Sequence, residues 1–484
     1  MFILILYDKI IITTIRKISF YCKWGLIMEN TTFGTQGLKR TLTFTDLMSI
    51  AVGQIIGAGV TVMTISALQM TGRSVNIAFV IAACFTVVSA IPTVFLTSVV
   101  RLRGGTYTQA VVFVGPQFAG FYIVTYIFSN MSIALYALGL VSYAAYVFPM
   151  FIYKQNIWAA VIITIFFMIN FLGAEFMAKA QKYMCFFLLL ALVMFTLIGM
   201  PKIQPGYFGN ELFEQPYITN GFTGLFQAST YLTFATGGAT VLVQFSAEAI
   251  NPIKDIPKAI IISTIGVAVL YSLMAMVFGG VFHPDLVIAL FGSGFSFNVA
   301  EQIMPKVLYY FFVLCGQGFA IGTTLNASIG FVTKPLIQAC EDGWFPRVFA
   351  TLHPKYKSPV YLLIAFWAVN LIPLFIGWDL RQLGLWVLLI GNVINIVMLL
   401  CIMKLPKLFS EEWEKSPYYV PNGVLAVFIF LAVCVTGFQA WINIRGLGFN
   451  IVLANMAVFA GAFIYSTYMM KTGKVNVTAS YELS

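Results

Sequence analysis

Charged residues are scarce in this chain of 484 residues. Aspartate, glutamate, lysine and arginine make up 9% of it, whereas about 25% is usual for a soluble domain. Hydrophobic residues make up 60%, far more than a globular core of this size needs. The shortage of charge therefore excludes an ordinary soluble protein and indicates a protein whose solvent is largely lipid.

Histidine and closely spaced cysteine pairs are also lacking. The chain has two histidines, His283 and His353, and its seven cysteines are scattered, mostly within apolar runs. A disulfide framework, a zinc site or a catalytic cluster would need several such residues at short, regular spacing. We therefore predict no metal site, no cofactor, no catalytic residues and no enzyme activity.

Long apolar runs are what the sequence has in abundance. Twelve runs approach or exceed the length of about 20 residues that a membrane-spanning helix requires. They lie near residues 45–70, 75–101, 117–148, 156–174, 183–200, 222–248, 259–283, 304–335, 359–377, 383–403, 419–441 and 448–470. The sequence thus predicts an all-α membrane protein with twelve transmembrane helices.

Lysine and arginine are distributed unevenly between alternate loops, and most lie on the side of the predicted helices that also carries both chain ends. Short loops rich in these residues stay in the cytoplasm. We therefore expect a multi-pass protein of the cell (plasma) membrane with both termini cytoplasmic. The net charge of +10 then reflects topology and contact with anionic membrane lipid, and not nucleic-acid binding.

Residues 1–27 do not fit the pattern of a spanning helix or a signal peptide. The stretch is apolar, but Asp8, Lys9, Arg16, Lys17 and Lys23 interrupt it. One interpretation is an interfacial amphipathic helix. The interpretation we prefer is that translation starts at Met28, which leaves a short polar tail before the first apolar run.

Two of the apolar runs are interrupted by glycine near their middle. The first run contains "GQIIGAGVT" (53–61) and the sixth contains "TFATGGATV" (233–241). Close helix packing is one explanation, since Gly53 and Gly57 form a small-xxx-small pair. Two interrupted helices at corresponding positions of two five-helix repeats, however, favour a binding site at the membrane midplane.

A broken helix in a membrane leaves backbone groups without partners, which is tolerated where the break lines a cavity. The free N–H groups at the start of a helix carry partial positive charge and suit a carboxylate. Free carbonyl groups at the second break suit an ammonium group. Together the two breaks predict a site for a zwitterionic amino acid that needs no buried ionised side chain.

Four stretches resemble the amino acid, polyamine and organocation (APC) superfamily of transporters, over about residues 40–440. They are "VGQIIGAGV" (52–60), "RLRGGTYTQAVVFVGPQFAGF" (101–121), "TFATGGATVLVQFSAEAINPIKDIPKAI" (233–260) and "TKPLIQACEDGWFPRVFATLHPKYKSPV" (333–360). The resemblance implies two inverted five-helix repeats, the LeuT-like arrangement, followed by two C-terminal helices. We accordingly divide the chain into a cytoplasmic segment 1–44, a transporter core 45–403, two additional helices within 404–471 and a cytoplasmic tail 472–484.

The resemblance also implies which residues bind the substrate. It implies that the backbone of Gly57, Ala58, Gly59 and Val60 binds the carboxylate and that the carbonyl groups of Phe234, Ala235 and Gly237 bind the amine. The predicted site also includes their neighbours at the two breaks: Ile56, Thr61, Thr236, Gly238 and Ala239. Many relatives place a large aromatic residue where this chain has Ala239, so we expect an enlarged cavity. Alternatively, an aromatic from another helix compensates, such as Tyr126 or Trp386. Thr323, Thr324 and Asn326 are weaker candidates to reach the cavity.

Few charged residues lie near the predicted helices. Glu248, Asp255 and Lys334 are candidates for a gate or a cytoplasmic loop, and we expect Glu248 to be an interfacial partner for loop lysines. The prolines of "NPIKDIPK" (251–258) are expected to stop a helix. Leu188 stands where many sodium-independent relatives carry a lysine, which leaves exchange, proton coupling and sodium coupling open.

The function implied by the resemblance is secondary active transport of amino acids by alternating access, as an exchanger (antiporter) or an ion-coupled symporter. The expected partners are an amino acid or a related amine, and membrane lipid; the oligomeric state is left open. Two alternatives remain. A channel would need a continuous polar stripe along several helices, and a transport-inactive amino acid sensor could share the fold.

Overall fold

The computed structural model describes residues 34–57, 59–209, 216–282, 295–377, 380–445 and 449–483. Within these residues, eight helices are long and apolar enough to cross a membrane. Three shorter apolar helices accompany them, at Phe44–Ile55, Gln155–Phe171 and Val360–Ile376. The structure confirms an all-α protein suited to a membrane, whereas the count of twelve spans stays a prediction. The proposed start at Met28 lies outside the described residues.

The first half of the chain is built mainly of helices, with one short strand among them. In chain order its elements are α1 (Phe44–Ile55), α2 (Gly59–Thr71), α3 (Val75–Thr97), β1 (Val100–Leu102), α4 (Thr106–Phe113), α5 (Pro116–Ser129), α6 (Ser132–Val147), α7 (Gln155–Phe171), α8 (Ala174–Gly199), α9 (Gly221–Thr236) and α10 (Pro252–Gly280). A 3₁₀ helix, Ala239–Phe245, lies between α9 and α10.

The second half continues with helices and ends in a second strand. The elements are α11 (Phe295–Ile303), α12 (Lys306–Phe311), a π-helical turn (Phe312–Gly318), α13 (Phe319–Val332), α14 (Lys334–Glu341), α15 (Val360–Ile376), α16 (Leu380–Cys401), α17 (Leu405–Leu408), α18 (Ser410–Lys415), α19 (Asn422–Arg445), α20 (Phe449–Lys471) and β2 (Tyr481–Leu483). Short 3₁₀ turns lie at Thr35–Gly37, Gly72–Ser74, Pro149–Ile152, Met200–Lys202, Arg347–Ala350 and Ile402–Lys404.

Both predicted breaks are present, and the sequence explains them locally. Helix α1 ends at Ile55 and α2 begins at Gly59. Helix α9 ends at Thr236, and Gly238 follows with φ of +128°, a conformation that only glycine adopts readily. The backbone then continues as a 3₁₀ helix, which is more tightly wound than an α-helix.

The expectation that the prolines of residues 251–258 stop a helix is wrong. Pro252 is the first residue of α10, and Pro257 lies within that helix. Proline is well suited to the first helical position, because the amide it lacks would have no intrahelical partner there. Helix α10 therefore begins at Pro252, earlier than the edge at residue 259 that the apolar pattern predicted.

Three buried clusters of apolar side chains lie among the described residues, and the two larger ones hold most of the helices together. One joins α1, α2, α3, α9 and α10, and the other joins α4 to α7 with α14, α15 and α16. Helix α13 contributes to both: Ala327 belongs to the first cluster and Leu325 to the second. Outward-facing side chains such as Met168, Tyr183 and Phe375 are exposed and apolar, as expected of a surface in contact with lipid.

The first and last described segments, near residues 34–42 and 474–483, lie at the same end of the helix bundle, which we call the terminal face. Strand β2 pairs with β1 in antiparallel register, with Arg101 opposite Glu482. The Glu482 carboxylate forms ion pairs with Arg40, Arg101 and Arg103. Residues 474–483, which we call the strap, are therefore bound to the terminal face.

Candidate substrate-binding site

A cavity of about 480 Å³ lies between the two helix breaks. Of the predicted binding residues, the structure brings six together in its wall: Gly57, Phe234, Ala235, Gly237, Gly238 and Ala239. The volume falls within the range of roughly 300–1,000 Å³ typical of small-molecule sites. The two breaks therefore open into one common space large enough for an amino acid.

The other six predicted binding residues are not part of the cavity wall that the structure describes. Ile56 is fully buried and absent from the cavity lining, and the Thr236 hydroxyl is hydrogen bonded to Thr86 Oγ1 at 2.5 Å. Ala58 lies outside the described residues. The structure gives the backbone of Gly59, Val60 and Thr61 as the start of α2, and their binding role stays a prediction.

The two breaks are in direct contact. A Cβ atom added to Gly238 would lie 2.9 Å from the carbonyl oxygen of Gln54, one residue before the end of α1. Because no real Cβ atom tolerates that distance from a backbone oxygen, glycine is required here by close approach as well as by its φ angle. This contact fixes the second break against the end of α1.

Side chains from neighbouring helices satisfy part of the backbone freed at the first break. Thr324 Oγ1 donates a hydrogen bond to the carbonyl oxygen of Gly53 at 2.9 Å, and Tyr271 donates to that of Ile55 at 3.4 Å. Such partners are what allow a spanning helix to be interrupted. The break at the end of α1 is thus held in place by α13 and α10.

Helix polarity places complementary partial charges at the two breaks. The first N–H groups of α2, from Gly59 onward, have no carbonyl partner within the helix, and they carry the positive end of its dipole. The carbonyl groups of Phe234, Ala235 and Thr236 end α9 and lack the amides that a continuing helix would supply. One break is therefore a donor of hydrogen bonds and the other an acceptor.

The described lining of the cavity contains no Asp, Glu, Lys, Arg or His side chain. Its polar groups are neutral hydroxyls and amides, and its aromatic side chains are Phe234 and Tyr136. Tyr126, which we considered as a compensating aromatic, is buried elsewhere in the second cluster. The Trp386 side chain lies outside the described part of the chain.

Of the three weaker candidates on α13, only Thr324 lines the cavity. Thr323 donates to the carbonyl oxygens of Phe319 and Ala320 within its own helix. Asn326 is fully buried, and its Nδ2 donates to Gln181 Oε1 at 2.8 Å. Asn326 therefore fastens α13 to α8 and does not face the site.

Gly53 has the packing role that its spacing suggested. A Cβ atom at this position would lie 2.2 Å from Gln181 Nε2 and 2.7 Å from the Thr323 Cβ atom. Gly57 has more room, with Thr324 Oγ1 at 3.2 Å. The two glycines of the small-xxx-small pair thus differ, because one permits helix contact and the other lies at the break.

Comparison with known proteins agrees with this architecture. The family described as Amino acid permease matches residues 42–470, which is most of the chain. The chain belongs to the amino acid permease family. The predicted membership of the APC superfamily is confirmed, and with it a multi-pass membrane transporter rather than an enzyme.

The permease is similar to several characterised transporters, each at low identity. It is 24% identical to the branched-chain amino acid permease BcaP of Bacillus subtilis, over 72% of this chain and 76% of that protein. It is 24% identical to the human cystine/glutamate transporter, over 87% and 85% of the two chains. It is 22% identical to the methylthioribose transporter of Bacillus subtilis, over 91% and 96%.

The permease also contains a buried ion pair at the terminal face. Lys334 Nζ lies 2.6 Å from Glu248 Oε1, and both side chains are almost fully buried. The Glu248 carbonyl oxygen accepts hydrogen bonds from the amides of Thr41 and Leu42. Glu248 thus pairs with a lysine, and the pair is buried inside the protein. Its position relative to the membrane interface stays a prediction.

Asp255 does not join this pair. It lies half-buried in the first turn of α10, where its negative charge favours the positive end of the helix dipole. Its position is explained by helix stability alone, and a role in the gate stays a prediction.

Several residues that line the cavity of the permease were not among the predicted binding residues. One of them, Gln54, lies at the first break; the others come from further along the chain: Thr86, Ser89, Thr93, Tyr136, Thr264, Asn395, Thr436 and Gln439. A signal was present for some of them, because Gln439 and Asn395 are amides within strongly apolar runs, where polar side chains are costly unless they face a partner or a cavity.

Proposed function

We propose that the permease is a secondary active transporter that carries amino acids across the plasma membrane by alternating access. The observation that carries the proposal is the single cavity between the two breaks, with donor groups at the start of α2 and acceptor groups at the end of α9. An amino acid has a carboxylate and an ammonium group at the spacing of one carbon atom. Its two charged groups would be bound by the backbone of the two broken helices.

The neutral side chains of the cavity support a zwitterionic substrate. A buried ion costs several kcal/mol unless a partner of opposite charge accompanies it. Because the described lining supplies no ionised side chain, a molecule with a net charge would lack that partner. A zwitterion brings both charges itself, and two helix ends can each stabilise one of them.

The packing of the terminal face supports a gate at that face. We propose that the terminal face and both termini are cytoplasmic. The Glu248–Lys334 pair joins the end of the second broken span to α14. A backbone bridge between Leu42 and Ala249 closes the same region. Separation of these contacts would open the cavity to the cytoplasm. We propose that the gate belongs to a fold of twelve helices with two inverted five-helix repeats.

Uptake into proteoliposomes tests this function. The full chain, purified and reconstituted, is expected to give saturable uptake of labelled amino acids and counterflow when unlabelled substrate is inside. Counterflow that needs no ion gradient, with no net uptake under a proton or sodium gradient, would assign exchange. Gradient-driven net accumulation would assign symport.

The same vesicles distinguish the alternatives. Flux that does not saturate and shows unitary currents would overturn the proposal in favour of a channel. Binding of an amino acid, seen as a thermal shift, without uptake in either direction would overturn it in favour of a sensor on the same fold.

A further inference from the structure

The cavity continues beyond the two breaks into a space between α3, α9, α16 and α19. We call this space the side chamber, and its polar wall consists of Thr86, Ser89, Thr93, Thr233, Asn395, Thr436 and Gln439. Helix α19 belongs to the pair of helices that follow the predicted repeats. The substrate cavity therefore includes residues from outside the two broken helices and their immediate neighbours.

The Gln439 amide has a fixed orientation in the side chamber. Its Nε2 donates to Thr233 Oγ1 at 2.6 Å, and that hydroxyl in turn donates to the carbonyl oxygen of Thr230 at 2.6 Å. Because the Thr233 proton is used in this way, the hydroxyl can only accept from Gln439. The amide is held by a short chain of hydrogen bonds that ends on the backbone of α9.

This orientation leaves the Gln439 carbonyl oxygen for another donor. In the part of the chain that the structure describes, Gln439 Oε1 accepts no hydrogen bond from the protein. An amide oxygen has two lone pairs, and Gln439 is half-buried in the cavity wall, so this oxygen can accept a hydrogen bond from a bound molecule. Nearby, Thr93 and Ser89 on α3 and Thr436 on α19 add hydroxyl groups to the same wall.

A polar side chain in contact with lipid costs free energy, so a polar group within a membrane helix is expected to face a partner or a cavity. Polar side chains in these segments are rarely exposed to lipid and usually mark a binding or conduction path. The side chamber collects neutral polar groups from several helices, but no ionised group in its described lining. It is therefore suited to hydrogen-bond donors and acceptors that carry no net charge.

We propose that the side chamber binds the side chain of the transported amino acid, and that this side chain is uncharged and polar, such as an amide or a hydroxyl. Gln439 is the specificity-determining residue, because its oxygen accepts a hydrogen bond from the substrate side chain. This inference rests on the proposed function, and it adds the substrate class. Acidic and basic amino acids are disfavoured because the described lining holds no counter-ion for them.

The test compares substrates in counterflow with the reconstituted full chain. Glutamine, asparagine and threonine are expected to compete more strongly than leucine or valine, by roughly tenfold for one well-made hydrogen bond. Glutamate and lysine should compete weakly. Gln439→Leu, which keeps the side-chain size, should raise the KM for glutamine about tenfold and change that for leucine by less than about twofold.

Two further variants make the result interpretable. Leu431→Ala alters an exposed side chain of the same helix outside the cavity wall, so it should leave the order of substrates unchanged. Gln439→Asn keeps the amide on a shorter stem; if Gln439→Leu folds poorly, this variant should still weaken glutamine more than leucine.

The outcomes separate this inference from the proposed function. If no amino acid is transported, the proposed function fails and the side chamber fails with it. If leucine is transported as well as glutamine, and Gln439→Leu affects both equally, only the side-chamber inference is overturned. A charged amino acid as the best substrate would also overturn it.

Discussion

Glu248 and Lys334 form an ion pair in which both side chains are almost fully buried. Lys334 Nζ satisfies one carboxylate oxygen of Glu248, and Oε2 has no hydrogen-bond partner among the described residues. Lys334→Met should therefore leave a buried carboxylate unpaired, at a cost of roughly 3–5 kcal/mol. We expect a marked fall in the Tm of the purified protein.

A second substitution distinguishes a buried charge from lost packing. Glu248→Leu combined with Lys334→Met replaces the pair by apolar groups, which is often nearly neutral in stability. The double variant should thus regain most of the lost Tm. If the two single losses simply add, the pair is not coupled and this account of the terminal face is wrong.

Gly238 gives a prediction about the second break. An alanine here would be strained by the φ of +128° and would place its Cβ 2.9 Å from the Gln54 carbonyl oxygen. Gly238→Ala is therefore expected to displace the break from α1 and to abolish most counterflow activity.

Gly237→Ala is the matched control for this prediction. Gly237 has an extended backbone, and an added Cβ would lie 3.4 Å from the nearest backbone oxygen, that of Thr233. This neighbouring change should be much milder in counterflow. Equal loss of activity in the two variants would show that the contact between the breaks is not what matters.

The sequence predicted some of the residues at the two breaks and in the cavity wall, but not their contacts with distant parts of the chain. Gly57 and Gly238 could be predicted, because glycine in the middle of a long apolar run contradicts helix propensity and calls for an explanation. Gln439 and Thr233 could not be paired from the sequence, since 206 positions separate them. Their contact depends on how α9 and α19 pack, which no local pattern records.

Helix α13 stabilises the first break through one hydroxyl group, and this gives a prediction at the level of helix packing. Thr324→Val removes the hydrogen bond to the Gly53 carbonyl oxygen while keeping the side-chain shape. The net cost should be about 1 kcal/mol in stability, seen as a lower Tm and a raised KM for substrate.

Thr323→Val is a matched control for this change. In the described part of the chain, the Thr323 hydroxyl bonds only to the backbone of its own helix. Its loss should therefore leave the KM unchanged. If the KM shifts in both variants, the cause is a general disturbance of α13 and not the loss of the hydrogen bond to the Gly53 carbonyl oxygen.

The extent of each helix was only partly predictable. The length of the apolar runs located the long apolar helices that the structure describes, because lipid requires each helix to be long and apolar. The glycines within two of these runs located the breaks. The apolar pattern placed the start of the fifth run at residue 183, whereas α8 begins at Ala174. Lys179 and Lys182 lie in the first turns of that helix, and their charge concealed its true beginning. Pro252 concealed the start of α10 in the same way.

The terminal face joins parts of the chain that are far apart in sequence. Asp342 accepts hydrogen bonds from Tyr107, from Gln338 and from the amide and hydroxyl of Thr478 in the strap. Strand β2 of the strap adds backbone pairing to β1. Nothing in the composition of residues 472–484 indicated this binding, because it depends on partners supplied by the rest of the fold.

Glu482 is at the centre of these contacts, and its carboxylate makes the stability of the folded protein depend on pH. Its carboxylate pairs with Arg40 at 2.9 Å, with Arg101 at 2.5 Å and with Arg103. Arg101 also donates to the carbonyl oxygens of Ser246 and Ala247 at the end of the second broken span. The strap is thus connected through one carboxylate and one guanidinium to the region of the proposed gate.

The pKa of Glu482 determines whether the protein gains or loses stability as the pH falls. Burial alone would raise it, but the hydrogen bonds and positive charges of Arg103 and Arg101 outweigh burial and hold the pKa below its usual range. A carboxylate with a lowered pKa in the folded state stabilises the protein above the pKa of the unfolded chain, about 4.3 for glutamate. That stability is lost as the pH falls through the folded-state pKa.

Glu482→Gln should therefore lower the Tm at pH 7, since it leaves three arginines close together without a carboxylate. The difference in Tm between wild type and variant should begin to shrink as the pH falls below about 4.3, and should vanish once the pH is below the folded-state pKa and the wild-type carboxyl is protonated as well. Glu411→Gln is the control, because Glu411 is exposed and lies 3.8 Å from Lys415. It should change the Tm little at any pH. A Glu482→Gln difference that stays constant down to pH values well below about 4 would show that the strap is held by its backbone pairing and not by this charge.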